Sequence, residues 1–496
     1  MLKHVLRFRS LLAIFAGAFI AMAFVSTAGA QEEFDAAAAV EDLTAGLDQA
    51  WLMIAAFLVF FMQLGFAMVE GGFVRAKNTT NILMKNVLDA CIGGIVFFAI
   101  GFGLAYGVDS GGDANKIFGW GNFFLEDFDA YAFWIFQFAF AATAATIVSG
   151  SMAERTKFSA YLIYTTFITA LIYPIVVHWA WDGNGWLANA FLSEDAIGAN
   201  GYMDFAGSGV VHMVGGAAGL AGAIIVGPRI GRFVDGKPRP IPGHSMTMGT
   251  IGMFVLWVGW YGFNPGSTLA LSGGFAALAA KVAVTTTLAA CAGAVTATLF
   301  SKARTGLFDY GLTINGILGG LVAITAGCAV VDPWAAIVIG AVGSLVVMGA
   351  IELLEKLQID DPVGAAPVHL GAGLWGVLSV GLFATNEGIT AAFTGPTEQY
   401  GLLMGGGIEQ LAIQALGAGA IIAWAGGASA VLFLAIKYTF GLRVDEHEEL
   451  EGLDIGEHGQ PAYNFGDVMS FPMQAGSSPG AVPARGLSPT PAAPVK

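Results

Sequence analysis

The chain contains windows of about twenty consecutive residues without a charged side chain, such as 312–331 and 333–351. A helix of that length crosses roughly 30 Å of hydrocarbon. Only 11% of the residues are charged, whereas a soluble globular protein carries about 25%. The sequence therefore predicts an all-α polytopic membrane protein. Its net charge of −15 argues against nucleic-acid binding, which needs a basic surface.

The segment 1–30 is distinct from the rest of the chain. Three basic residues precede an apolar stretch that ends in STAGA, just before QEE. This order is typical of a secretory signal peptide, with cleavage expected after Ala30. An uncleaved first membrane helix is the alternative. We expect an extracytoplasmic N-terminal segment at 31–49.

The pattern of apolar stretches predicts eleven transmembrane helices in a membrane domain at 50–438. Their expected ranges are 50–70, 84–107, 131–151, 158–178, 208–227, 246–265, 276–300, 312–331, 333–354, 367–385 and 412–438. Basic residues follow odd-numbered helices or begin even-numbered ones, and they are Arg75, Lys77, Lys85, Arg155, Lys157, Arg229, Arg232, Lys237, Arg239, Lys302, Arg304, Lys356, Lys437 and Arg443. The opposite loops hold only Lys116, and Lys281 lies just inside helix 7. The positive-inside rule thus predicts an inner (plasma) membrane protein with its N-terminus outside and its C-terminus in the cytoplasm.

Two stretches share a spacing that predicts an internal repeat. Asp204 lies eight residues before His212, and Asp361 lies eight residues before His369. In both stretches a valine precedes the histidine, and glycines follow four and seven residues after it. Because each half holds five helices, an odd number, the two copies run in opposite directions. The fold expected is two inverted five-helix repeats plus a final helix, an arrangement typical of transporters.

The histidine of each repeat shares a helix face with two glycines, so another helix or a pore can approach closely there. Eight residues of helix after the aspartate place each ring about 12 Å into the membrane. A membrane histidine usually faces a cavity or pathway, and imidazole passes protons near neutral pH. The spacing therefore predicts a central pore lined by His212 and His369. The alternative is two packing histidines, each bonded to a local carbonyl.

Several long stretches are similar to the ammonium transporter (Amt) family of the Amt/Rhesus superfamily, in its bacterial type with a cleaved signal peptide. They include GFAMVEGGFVRAKN, FAFAATAATIVSGSMAER, YPIVVHWAWDGNGWLA, DFAGSGVVHMVGG, WYGFNPGS and DDPVGAAPVHLGAGLWG. The resemblance runs from about Trp51 to Phe465. It implies a homotrimer with one pore in each subunit, no prosthetic cofactor and no enzymatic activity. The residues themselves show no nucleophile–base constellation, phosphate loop or zinc-ligand spacing.

The resemblance also implies roles for individual residues of the pore. His212 and His369 match the paired pore histidines of the family. Phe140 and Phe263 match the stacked phenylalanines that occlude the pore from outside. Taken alone, each phenylalanine is an ordinary packing residue of a membrane helix.

An outer site that recruits the ammonium ion is implied at Phe136, Trp181 and Ser267, with Asp204 as a buried supporting aspartate. Aromatic rings attract a cation at roughly 0.5–2 kcal/mol each. A serine oxygen accepts a directed N–H bond, which potassium cannot donate. Trp181 and Ser267 favour the Amt branch over the Rhesus branch.

The route that follows is binding of NH4+ outside, loss of its proton, and passage of NH3 along the histidines. Neutral ammonia escapes the penalty that a low-dielectric pore imposes on a full charge. The family precedent favours coupled movement of the proton. Two alternatives remain: a membrane ammonium sensor or transceptor on the same scaffold, and a transporter of another small neutral gas or organic amine.

The chain turns polar after about Phe440. The segment 439–469 is either a solvated tail or a cytoplasmic regulatory element that docks a partner, because its acidic residues are interrupted by Leu450 and Leu453. The resemblance supplies a trimeric PII-type nitrogen-signalling protein as the candidate partner. The segment 470–496 is Pro-rich and is expected to be disordered.

Overall fold

The computed structural model describes residues 35–108, 115–393 and 397–464. Within these ranges nine helices are long and apolar enough to cross a membrane, or ten if one bent pair is a single span. The protein is therefore a multi-pass helical membrane protein, as predicted. The predicted signal peptide at 1–30 and the Pro-rich segment at 470–496 lie outside the described residues.

The helical segments are numbered in chain order. They are α1 Ala36–Phe73, α2 Ala76–Tyr106, α3 Tyr131–Ser151, α4 Phe158–Trp181, α5 Ser208–Val226, α6 Met246–Thr268, α7 Phe275–Thr305, α8 Tyr310–Thr325, α9 Pro333–Lys356, α10 Pro367–Phe383, α11 Asn386–Ala392, α12 Glu409–Thr439, α13 Glu446–Glu451 and α14 Leu453–His458. A two-stranded antiparallel ribbon joins β1 Phe233–Val234 to β2 Lys237–Pro238. Helices α10 and α11 meet at an angle of 113°.

Three helix boundaries differ clearly from the prediction, and one of them is the start of α2, at Ala76 rather than near 84. Helix α1 begins at Ala36 rather than near 50, because Asp35 caps it and the alanine-rich stretch continues the helix. The Asp35 Oδ1 atom accepts hydrogen bonds from the amides of Ala37 and Ala38 in the first turn, at 2.9 and 3.1 Å. Helix α8 ends at Thr325 rather than 331, since the chain turns there and the Val330 carbonyl accepts a bond from the Thr385 amide at 2.9 Å.

Glycines set the closest helix contacts, as expected of helices that pack in a membrane. A methyl group on Gly252 of α6 would lie 2.5 Å from the Val69 nitrogen of α1. Gly340 of α9 and Gly320 of α8 both face the Ala289 carbonyl of α7 in the same way. Side chains larger than glycine would push these helices apart.

A buried ionic cluster joins the loops after α3, α5 and α9. The Arg229 Nε atom lies 2.8 Å from Asp360, and Arg229 also lies 3.2 Å from Glu154, which pairs with Arg75 at 2.6 Å. Burial alone would raise the pKa of Asp360, but hydrogen bonds from Arg229 and the charges of Arg155 and Arg229 lower it to about 2. The cluster therefore stays ionised at neutral pH, holds the three loops together and joins them through Arg75 to the loop between α1 and α2.

The polar segment after α12 packs against its own chain. The Asp454 carboxylate accepts hydrogen bonds from the amides of Thr80 and Asn81 at 3.0 and 2.9 Å, near the start of α2. Glu449 accepts from the Ile230 amide at 2.7 Å. Acidic side chains at helix N-termini are stabilising because they complete unsatisfied N–H groups and oppose the helix dipole. The described part of 439–469 is thus packed against the membrane domain and is not a freely solvated tail.

Candidate pore

The two histidines singled out by the repeat meet at the centre of the protein. The Nδ1 atoms of His212 and His369 are 3.1 Å apart, and the ring centroids are 5.1 Å apart. Both rings are buried, with exposures of 0% and 6%. A neutral imidazole carries one N–H, so one ring donates to the other and the pair can share a proton. The sequence correctly predicted that these two residues come together.

Asp204 organises the chain just before the first histidine. Its carboxylate accepts hydrogen bonds from the amides of Gly207, Gly209 and Val210, at 3.0, 2.8 and 2.9 Å. Gly207 adopts φ 110°, a backbone conformation that suits glycine. This turn leads into a π-helical stretch over Ser208–Met213, which carries His212. Wide turns of this kind are common at functional sites.

Asp361 does the same before the second histidine. It accepts from the amides of Gly364, Ala365 and Ala366 at 3.0, 3.1 and 2.7 Å. Gly364 has φ 75°, and the π-helical stretch Pro367–Gly371 carries His369. The expected depth of about 12 Å assumed eight helical residues. The assumption of eight helical residues is wrong, because the helices begin only at 208 and 367.

The histidine-bearing helices cross at their glycines. A methyl group on Gly373, four residues after His369, would lie 2.7 Å from the Ser208 carbonyl oxygen, which is four residues before His212. Gly216, four residues after His212, faces the backbone of His369 and the next residue. The predicted close approach at these glycines is confirmed, and the approaching element is the other histidine helix.

The predicted recruitment residues line one cavity of about 230 Å³, named here the aromatic cavity. Its walls include all four of them, namely Phe136, Trp181, Asp204 and Ser267. The Trp181 Nε1 atom donates to the Asp204 carbonyl oxygen at 2.8 Å, which fixes the indole. The Ser267 hydroxyl donates to the Phe263 carbonyl at 2.7 Å, so its oxygen lone pairs remain free to accept.

Of the two residues predicted to form a phenylalanine gate, Phe140 lines the aromatic cavity and Phe263 packs against it. Phe140 and Phe263 stack with centroids 4.1 Å apart, and both are fully buried. The Phe263 ring also stacks on His212 at 5.3 Å. A single file of rings thus runs from Phe140 through Phe263 and His212 to His369.

Two further cavities lie beyond His369. The histidine cavity, of about 30 Å³, is lined by His369, Glu70 and Trp260 among others. The polar cavity, of about 230 Å³, includes Asp361. Asn315 lines both, so the two cavities are neighbours.

Sequence reasoning missed Glu70 and Trp260. Trp260 stacks on His212 at 5.3 Å, and its Nε1 atom donates to Thr325 at 3.0 Å. A signal for Glu70 was present, because an acidic residue within an apolar membrane stretch is itself a functional hypothesis. Within the described ranges no cluster of three or more metal-type side chains forms.

Comparison with known proteins points to one family. The sequence model of the Ammonium Transporter Family matches residues 50–463. Ammonium transporter Amt2 from Archaeoglobus fulgidus is 45% identical over 452 residues, covering 90% of this chain and 94% of that protein. Ammonium transporter 3 from Dictyostelium discoideum is 42% identical over 425 residues, covering 84% and 94%.

Solved structures agree with the sequence comparison. A structure described as a Sensor Amt Protein superposes with a TM-score of 0.75 at 38% identity, covering 84% of this chain and 100% of that one. Mep2 from Candida albicans superposes with a TM-score of 0.72 at 28% identity, covering 81% and 87%.

Proposed function

The chain belongs to the ammonium transporter family, and we propose that it carries ammonium along the line of cavities and stacked rings just described. The observation that carries this proposal is the continuity of that line. Phe140 lines the aromatic cavity and stacks on Phe263, Phe263 stacks on His212, and the Nδ1 atoms of His212 and His369 are 3.1 Å apart. One solute smaller than a phenyl ring can follow it.

Recruitment takes place in the aromatic cavity. The faces of Phe136 and Trp181 attract a cation, and the Ser267 oxygen accepts an N–H from it. Asp204 supports the site through Trp181, whose indole nitrogen it holds by its backbone carbonyl. Its carboxylate accepts hydrogen bonds from three backbone amides and thereby shapes the wall of the cavity.

Deprotonation precedes entry into the file of rings. A full charge between the buried rings of Phe140 and Phe263 would be strongly penalised, whereas neutral NH3 is not. The paired Nδ1 atoms of His212 and His369 can carry a proton along the part of the line beyond Phe263. The transported unit in this proposal is NH3 with a coupled proton.

The membrane topology is eleven transmembrane helices, with α8 as the short one and α10–α11 as one bent span. The two halves are inverted five-helix repeats, followed by α12. The pairing of Gly373 with Ser208 supports this, because it matches a residue after one histidine with a residue before the other. By the distribution of basic residues, the N-terminus lies outside, the C-terminus lies in the cytoplasm, and the membrane is the inner (plasma) membrane.

The assembly is a homotrimer with a pore inside each subunit. The complete file of rings within one chain supports a pore of its own. A trimeric PII-type signal protein is the proposed cytoplasmic partner of the regulatory segment 439–469. Matching threefold symmetry would let three weak contacts act together through effective concentration.

Uptake of labelled methylammonium by proteoliposomes tests the transport route. We expect saturable uptake that unlabelled ammonium suppresses, and loss of that uptake when His212 is replaced by alanine. Uptake that survives this replacement would refute the route. A variant at an exposed residue away from the cavities, Trp120→Leu, is the matched control.

A second candidate function, ammonium sensing, is favoured by one observation. The neighbour with the TM-score of 0.75 is described as a sensor protein. In a sensor, ammonium would bind the aromatic cavity and alter the contacts of α13 and α14 without net uptake. Ammonium-dependent protection of residues 445–458 from hydrogen exchange, in proteoliposomes that show no uptake, would support sensing over transport.

A further inference from the structure

The histidine cavity contains a carboxylate that the route above does not use. Glu70 lies on α1 and is 3% exposed. It lines the histidine cavity together with His369. Its Oε2 atom is buried and finds no hydrogen-bond partner among the described residues. A buried carboxylate oxygen without a partner is costly, so the site calls for a proton or a cation.

The local packing points Glu70 at this cavity. Phe66, one helical turn earlier on α1, contacts the His369 ring at a centroid distance of 6.1 Å. Residues four apart share a helix face, so Glu70 follows Phe66 on the face toward α10. From the α3 side, a methyl group on Gly150 would lie 3.8 Å from the Glu70 carboxyl carbon. The carboxyl group therefore lies close to α3 at Gly150.

Four polar or charged side chains neighbour the carboxylate. They are Ser149 on α3 and Lys85, Asn86 and Asp89 on α2. Lys85 is directed at the Thr156 carbonyl, at 3.4 Å. Asp89 accepts from Thr146 at 2.8 Å and from Tyr161 at 2.5 Å. Of these two carboxylates, only Glu70 lines the histidine cavity.

We propose that Glu70 is the inner proton carrier of transport, receiving the proton from the histidine pair and returning it to ammonia in the histidine cavity. This proposal rests on the proposed function. A cavity of about 30 Å³ has room for one or two molecules of water size. It can therefore hold the arriving NH3, or the water that bridges His369 and Glu70.

The step balances in protons and charge. A proton leaves the imidazolium of the histidine pair and binds the Glu70 carboxylate, which becomes a neutral acid. The acid then gives the proton to NH3, and Glu70 returns to its carboxylate form as NH4+ forms. The ion leaves past Asn315 into the polar cavity, whose polar walls replace the lost hydration.

Ammonium-jump currents from proteoliposomes on a solid-supported membrane test the proposal. Glu70→Gln keeps the shape but cannot carry a proton, and we expect the current to fall by about a hundredfold. Glu70→Asp retains a carboxyl group and should restore most of the current. Asp89→Asn, the control on a buried carboxylate outside the cavity, should keep it. A wild-type current in Glu70→Gln, or an equal loss in Asp89→Asn, overturns the proposal.

Infrared difference spectra give a readout that structural damage alone would not mimic. An ammonium jump should produce a carboxylic-acid band in the wild type and in Asp89→Asn, but none in Glu70→Gln. If Glu70→Gln does not fold, wild-type protein with ¹³C-carboxyl glutamate decides, and absence of a shifted band overturns the proposal. If His212→Ala loses its charge-coupled current while Glu70→Gln keeps a normal current, the role of Glu70 is refuted and the proposed function stands. Normal currents in His212→Ala would instead defeat the proposed function.

Discussion

The approach to His212 and the approach to His369 are built alike and surrounded differently. Each begins with an aspartate that caps three backbone amides, continues through a glycine of positive φ, and ends in a π-helical stretch with the histidine. Around Asp204 lie Trp181 and the aromatic cavity. Around Asp361 lie Ser151, at 3.3 Å, and the polar cavity.

The difference shows how a symmetric scaffold gains a direction. The repeated segments bring the two histidine rings into contact, which by itself favours neither side. Helices outside the repeated motif supply the asymmetry: Phe140 and Trp181 on the aromatic side, and Glu70 on the other. Rings suit the capture of a cation, whereas a carboxylate suits the handling of a proton.

Removing one histidine should have the largest effect, because it breaks the feature that the two regions share. In His212→Ala and in His369→Ala we expect charge-coupled uptake to fall to background. Both proteins should still insert, since the loss of three ring contacts at His212 or of two at His369 leaves the backbone packing of the helices in place. Currents in proteoliposomes measure the effect, and unchanged currents in both single variants would show that the pair is a packing feature.

The second largest effect is expected when the crossing of the two histidine helices is widened. Gly373→Ala places a methyl group 2.7 Å from the Ser208 carbonyl, and such overpacking costs about 1–3 kcal/mol. We expect a lower thermal midpoint of the purified protein. Gly419→Ala is the control, because no atom lies within 4 Å of its added methyl group. Equal midpoints for the two variants would mean that the crossing is looser than described.

Changing the aromatic side should alter affinity without abolishing transport. Trp181→Leu removes one cation–π wall worth about 0.5–2 kcal/mol, so the half-saturation for ammonium should rise roughly two- to thirtyfold. Ser267→Ala should act in the same direction through the lost acceptor. Competition of ammonium against labelled methylammonium measures both. If both variants match the wild type, recruitment occurs elsewhere.

The smallest effect is expected at the docked tail. Asp454→Ala removes a cap from the start of α2 and should lower the free energy of unfolding by about 1 kcal/mol.

Truncation after Phe440 should alter activity and end co-purification with a PII-type protein, whereas truncation after Gly476 should do neither. Normal transport and normal shut-off after an ammonium pulse in the longer truncation would contradict the regulatory role.

Much of the fold was predictable because membrane helices can be recognised in a sequence by their length and hydrophobicity. The repeat around Asp204 and Asp361 also predicted that the two histidines meet, since its spacing is fixed in the sequence. The early start of α1 was missed because residues 36–49 are helical without being uniformly apolar. The early end of α8 was missed because its last apolar residues form a buried turn.

The residues of the candidate site were likewise predicted only in part. The aromatic residues acquired their assignments from family resemblance, because a phenylalanine such as Phe140 is ordinary in a membrane helix. Glu70 was overlooked although its charge was visible, because nothing in the chain order links α1 to His369. The packing of Phe66 against that ring and the cavity that Glu70 and His369 both line reveal the connection.

The ratio of charge to substrate tests the central claim most directly. Current and labelled methylammonium uptake are measured in the same proteoliposomes under one imposed gradient. The account predicts one positive charge for each methylammonium taken up in the wild type, and loss of that charge movement in His212→Ala. Saturable uptake without charge movement in the wild type would contradict it, because the histidine pair would then carry no proton.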